Sequence, residues 1–176
     1  MKNVFTFIIT TVIVVSTLSC NKTTDPQPTN NNTGTATDTN FYFTAKIDGT
    51  DWAADMKSTN TYLNSAHAGS LTIQASLTDV TTGVFLVNLY NYNGAGSHTV
   101  GTGGTNSYAR YTTGSVGMGT YSAWKAETPG STTTGTFTIT KEENSIVEGT
   151  FSFDGYSEEK KTRKKITEGK FRMKKK

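Results

Sequence analysis

A single cysteine, Cys20, leaves this chain without a disulfide framework and without the thiolates of a zinc cluster. Histidine is nearly as scarce. His67 and His98 are the only two, and neither lies in a metal-ligand spacing such as His-x-x-x-His, so they read as loop residues and no metal site is expected. Charged residues reach only 18%, and no amphipathic helix longer than two turns is legible. Threonine, glycine, serine, asparagine and tyrosine fill the gap, a balance that favours β-structure with exposed polar turns. The 176 residues suffice for one ordinary domain plus extras, and a domain of that size buries roughly two thirds of its unfolded surface without covalent staples.

The net charge of +3 hides an asymmetry. From Tyr156 onward ten Lys or Arg face only three Glu, so the body is mildly acidic and its end strongly basic. A basic end can attract anionic surfaces, or it can simply solubilise an edge strand and its loop.

One short phrase recurs near the end of the chain. Ile146-Val147-Glu148-Gly149-Thr150-Phe151 returns as Ile166-Thr167-Glu168-Gly169-Lys170-Phe171, and a looser copy, Thr132 to Phe137, ends on Gly135-Thr136-Phe137. After each Phe the alternation continues, as in Phe151-Ser152-Phe153, so three half-buried strands in a meander are predicted. Ile and Phe are five apart in both full copies, which places them on opposite faces of a regular strand. A bulge at the intervening glycine would return both to the core.

The N-terminus reads differently. Met1-Lys2-Asn3 is a short positive start, Val4 to Val15 is apolar apart from threonines, and Ser16-Thr17-Leu18-Ser19 ends on a small residue before Cys20. This predicts a secretory signal peptide over 1–19, too short an apolar run for a membrane span. The position of Cys20 resembles the lipobox of bacterial lipoproteins, which implies an acylated cysteine as the new N-terminus. Each buried methylene of its acyl chains would contribute roughly 0.8 kcal/mol to membrane attachment. The pattern departs from the usual one, with Thr17 three before the cysteine and Leu18 one later. Asn21 to Asn40 is rich in Asn, Thr, Pro and Gly, and residues 20–40 are expected to form the anchor and a disordered tether spanning roughly 25 Å. Asn21 is not acidic and no acidic run follows Cys20, which points to the outer membrane, with either side open.

Order is expected from Phe41, so 41–176 forms a single β-domain. Phe41, Phe43, Ala45 and Ile47 share a face, and Asp48-Gly49 signals a hairpin, with Trp52 on the return strand or in a short helix beginning at Thr50. Lys57 to Leu63 is a weak strand, Leu71 to Leu77 alternates cleanly, and Val84 to Tyr92 is apolar on both faces and central. Ser97 to Val100 leads into a glycine cluster, and two short strands follow at Tyr108–Thr112 and Tyr121–Ala126. The expected fold is all-β: an antiparallel meander of about nine strands forming a sandwich or flattened barrel.

A domain that opens with Phe43-Thr44-Ala45-Lys46-Ile47-Asp48-Gly49-Thr50-Asp51-Trp52 and closes with Gly149-Thr150-Phe151-Ser152-Phe153 resembles a family of small lipoprotein domains of unknown function common in Bacteroidota. The resemblance covers essentially the whole domain. It implies an envelope location and a β-rich fold, and it lends no catalytic residues.

Patterns with chemical meaning mostly fail on geometry, and the protein is not expected to be an enzyme or to need a cofactor. Ser122-Ala123-Trp124-Lys125 has the Ser-x-x-Lys spacing of penicillin-binding enzymes, but on a strand positions three apart face opposite ways. Asp48, Asp51 and Asp55 cluster as calcium ligands would, without the spacing of a calcium loop, and turn-favouring aspartates explain them more simply. Glu142 and Glu143 belong to a hairpin tip that offers a glycosidase no cleft. Gly101 to Gly104 and Gly114 to Gly119 lack the Lys and helix of a phosphate loop. The remaining surplus is aromatic and amide: Asn88, Tyr90, Tyr92, Tyr108, Tyr111, Tyr121 and Trp124 could line a wall for a sugar or small apolar ligand, or could serve packing alone. The expected partners are the membrane through Cys20, and a carbohydrate, a small apolar ligand or an envelope protein, with no nucleic acid. An alternative is an interaction protein that uses Lys160 to Lys165 and Lys174 to Lys176 on anionic lipid or polysaccharide.

Overall fold

The repeated phrase occupies three strands, β9 (Gly135–Glu143), β10 (Ile146–Ser157) and β11 (Thr162–Lys174), paired as the predicted meander. The copies pair reciprocally: Gly149 stands opposite Phe171, Phe151 opposite Gly169, and Phe153 opposite Gly135. Each ring thus lies over a position that has no side chain. A Cβ added to Gly169 would come within 2.5 Å of the Phe151 carbonyl oxygen and 2.6 Å of its ring, and one on Gly149 within 2.4 Å of the Thr138 carbonyl oxygen and 2.8 Å of the Phe171 ring. Close approach, not turning, is what these two glycines supply.

The expected bulge exists in β11 and sits one residue before the glycine. Phe151 pairs with Gly169 but Phe153 with Ile166, so β11 holds an extra residue there, and Glu168 adopts φ 52°. The same irregularity shows against the strand on the other side of β11. It turns Ile166, Gly169, Phe171 and Met173 all inward. No such device is needed for the apolar positions of β10, because Val147, not Ile146, starts its buried alternation.

The computed structural model describes residues 40–59, 61–65, 69–101, 106–114, 119–126 and 134–176. Cys20, with the expected leader and tether, lies outside the described residues, as does His67. β1 (Tyr42–Ile47) and β2 (Thr50–Ala53) form a hairpin across Asp48-Gly49, whose φ values of 51° and 85° suit a type I′ turn. The return segment is therefore a strand and not a helix. β3 (Tyr62–Asn64) covers only the end of the weak strand expected over 57–63, and β4 (Ser70–Ser76), β5 (Val84–Tyr90), β6 (Gly96–Val100), β7 (Tyr108–Thr113) and β8 (Ser122–Ala126) follow.

All strand pairs are antiparallel, and the eleven described strands exceed the expected nine. One layer runs β2-β1-β11-β10, continued by β9 and β6; the other runs β8-β7-β5-β4-β3. β10 changes partner along its length, pairing with β9 up to Phe153 and with β8 at Tyr156. At the opposite margin Leu63 bridges Lys175 in parallel, and the Lys176 amide donates to the Leu63 carbonyl at 3.0 Å. The second layer thus meets the first at both of its own margins, β8 and β3, in a sandwich or flattened barrel whose β2 and β6 remain edges.

Rings fill its interior. Phe43, Phe85, Phe137 and Phe171 are fully buried. Phe85 of β5 crosses the gap to Phe43 at 5.4 Å and Phe151 at 6.0 Å, and Phe137 stacks on Phe151 at 4.8 Å with their planes 4° apart. Such pairs add about 0.5–1.5 kcal/mol each beyond burial.

Candidate functional site

Strand parity divides the seven residues of the expected wall. Tyr111 and Trp124 face the core with Ala109 and Ala126, so they pack rather than line a surface. Tyr111 lies 5.0 Å from Phe85, and burial raises its hydroxyl above the ordinary tyrosine value. The Trp124 indole N–H donates to Thr162 Oγ1 at 3.0 Å. Tyr121 precedes β8 and is exposed. Tyr92 lies beyond β5 in a separate cluster. Asn88, Tyr90 and Tyr108 remain together on the outer face of the second layer, where Asn88 is paired with Tyr108 across β5 and β7.

Around them the register builds a row that sequence reasoning misses. Tyr62 pairs with Gln74, Gln74 with Leu86, Leu86 with Arg110, Arg110 with Lys125, Lys125 with Tyr156, and Tyr156 with Arg163. Neighbouring strands lie about 4.8 Å apart, so side chains of this row stand side by side across seven strands and round one margin of the barrel. A second row, Asn64, Thr72, Asn88 and Tyr108, runs beside it. Rings at both ends carry a cation: the Lys176 ammonium lies 5.7 Å from the Tyr62 ring centre and the Arg163 guanidinium 5.5 Å from that of Tyr156. Asn88 Oδ1 is buried in this face without a hydrogen bond among the described residues. The result is a broad surface of rings, amides and cations, suited to stacking against and hydrogen bonding a flat polar ligand.

One signal for this face was available in the sequence. Between Asp55 and Glu127 the only acid is Asp79, and the five strands β3, β4, β5, β7 and β8 contain no Asp or Glu. The row itself was not available, because it depends on which strands are neighbours.

On the opposite layer a shallow depression of about 430 Å³ lies over β9, β10 and β11, lined by Thr136, Thr138, Thr150, Phe151, Ser152, Glu168, Gly169 and Lys170. Glu168 is held there by Lys46 at 3.0 Å. Phe151 reaches the depression but is only 4% exposed, its side chain being part of the core, so the depression presents mainly hydroxyls.

The other sequence candidates are occupied by structural contacts. Asp48 accepts the Lys165 amide at 2.8 Å and the Lys164 ammonium at 3.0 Å, which hold its carboxyl below the usual range. Asp55 accepts Thr78 Oγ1 at 2.7 Å and the Lys57 amide at 2.9 Å. No group of three metal-ligating residues occurs among the described residues. Ser122 is buried while Lys125 faces outward, so the two point apart on β8.

The cluster at Tyr92 ties three distant segments together. Tyr92 and Lys175 each donate to Glu142, the Lys175 ammonium lies 5.4 Å from the Tyr92 ring centre, and His98 packs on that ring at 5.2 Å. The Lys175 ammonium, and then the Tyr92 hydroxyl, hold the Glu142 carboxyl below its usual 4.5. Burial, with Glu142 beside it, raises the Tyr92 hydroxyl above its usual 10. A depressed carboxyl contributes stability above its unfolded value that is lost as pH falls through the folded one. Glu142→Gln should therefore be less stable than the parent at neutral pH, with the two stability curves converging below about pH 4.5. Curves that stay parallel in acid would show that Glu142 carries no such linkage.

A family model described as a domain of unknown function (DUF6252) matches residues 38–173. No curated protein and no solved structure matches the chain.

Proposed function

We propose, for a chain that belongs to the DUF6252 family of domains of unknown function, the role of a non-catalytic cell-envelope lipoprotein of the Bacteroidota type. In this reading it is anchored in the outer membrane through acylated Cys20 and binds a glycan on its outer face. The observation that carries the binding role is the in-register row from Tyr62 to Arg163 beside Asn88 and Tyr108. A sugar needs a ring to lie on and amides or cations to meet its hydroxyls, and this face offers both. The ring-filled interior favours a surface site over an enclosed apolar one.

The alternative, a general basic patch at the C-terminus, is weakened by its own pairing. Of the ten cations from Tyr156 onward, Lys160, Lys161, Lys164, Arg172 and Lys175 each stand against a carboxylate, at 3.3 Å or closer.

The test uses the full chain in a bacterial envelope and an immobilised panel of neutral and acidic polysaccharides. The parent is expected in the membrane fraction and Cys20→Ser in the soluble fraction, with glycan binding unchanged between them. Tyr90→Ala with Tyr108→Ala should abolish retention on the panel, while Tyr42→Ala, exposed on β1 of the other layer, should not. Membrane partition that survives Cys20→Ser would overturn the anchor, and retention that survives loss of both tyrosines would overturn the face.

A further inference from the structure

We infer that the glycan this face takes is acidic, carrying carboxylate or similar anionic groups along its length. The inference rests on the glycan-binding reading above and adds the charge of the ligand. The two layers of the barrel differ sharply in their charges. The strands of the first layer carry Asp51, Glu142, Glu143, Glu148, Asp154 and Glu168. The five strands of the second carry none, while Arg110 and Lys125 stand adjacent in its outer row. Among the described residues no ion pair joins Arg110 to an acid. Two acids in turns near this layer are engaged there: Asp79 accepts the Thr81 amide at 2.8 Å, and Asp55 accepts Thr78. Asp154 of β10 stands on the outer face two residues before Tyr156.

A neutral sugar would leave the potential of this face unused. An acidic one would meet a planar guanidinium at Arg110, able to grip a carboxylate with two parallel hydrogen bonds. An ammonium stands one strand away, about 4.8 Å along the row. Beyond it, Tyr156 with Arg163, and at the far end Tyr62 with Lys176, present a ring and a cation together. A line with two adjacent cations at its middle and a ring with a cation towards each end suits an extended chain of sugar rings bearing acid groups. The charges of such a chain would run with the row, across the strands.

The experiment compares retention of the full-length protein on polygalacturonate, on its fully methyl-esterified form and on dextran. The esterified polymer keeps the sugar backbone and removes the charge. Polygalacturonate is expected to bind about tenfold more tightly than its ester, a difference erased by about 0.5 M salt. Arg110→Ala with Lys125→Ala should remove the preference. Lys170→Ala, which deletes a cation from the opposite face, should leave it intact and so exclude general basicity. Equal retention of acid and ester would overturn the acidic ligand while leaving a glycan site standing. Loss of preference with Lys170→Ala as well would overturn the assignment to this face. Failure of all three polymers to bind, with the variants indistinguishable from the parent, would overturn the glycan reading itself and this inference with it.

Discussion

Replacing Phe85 with alanine is expected to lower the stability of the domain by about 3–5 kcal/mol. Phe85 is fully buried, and five rings surround it: Trp52 at 4.7 Å, Tyr111 at 5.0 Å, Phe43 at 5.4 Å, Phe151 at 6.0 Å and Phe153 at 6.1 Å. It projects from the second layer, whereas Phe43, Trp52, Phe151 and Phe153 project from the first, so its ring is where the layers hold one another. Truncation removes the transfer energy of the ring and leaves a cavity whose walls are anchored to paired strands and cannot collapse far. The measurement is the shift of the denaturant midpoint at constant slope. Phe85→Leu, which fills most of the space, should cost well under half as much. A loss below about 1.5 kcal/mol for alanine would mean that the layers repack freely.

Adding one methyl group at Gly169 is expected to cost about 2–3 kcal/mol, near the upper end for overpacking. The new carbon would stand 2.5 Å from the carbonyl oxygen of Phe151 and 2.6 Å from its ring. The ring could turn aside, but the carbonyl belongs to the ladder between β10 and β11 and retreats only if those strands part. Lys170→Ala, on the outer side of the same strand, should change stability by no more than about 0.5 kcal/mol. In a double-mutant cycle, Phe151→Ala should relieve part of the Gly169→Ala penalty, since the ring contact is gone and only the carbonyl contact remains. Strict additivity would show that the ring is not what forbids the side chain.

That pair also marks the boundary of what could be read from residue order. The alternation after each Gly-x-Phe gave three adjacent strands and their inward positions, and Asp48-Gly49 gave a hairpin, because these depend on neighbours along the chain. The role of the glycine did not follow. Sequence reasoning places the bulge at the glycine itself, yet the bulged residue is Glu168, and Gly169 is needed because Phe151 lies across from it. A cross-strand partner is set by register, and register is absent from a single strand's pattern. The expected wall meets the same limit. Tyr111 and Trp124 are as aromatic as Tyr108, but parity turns the first two inward beside Ala109 and Ala126. Arg110, between two such inward positions, was not singled out, because its neighbours in the row come from β5 and β8.

The pairing of β1 with β11 joins Phe43 to Phe171 and Tyr42 to Arg172, near opposite ends of the described residues. During synthesis, which proceeds at about 5–20 residues per second, the edge of β1 that awaits β11 stays open on the order of ten seconds. The barrel cannot close before its last strand has been made. For the export proposed above, a chain is thereby kept threadable until it is nearly complete by its own strand order.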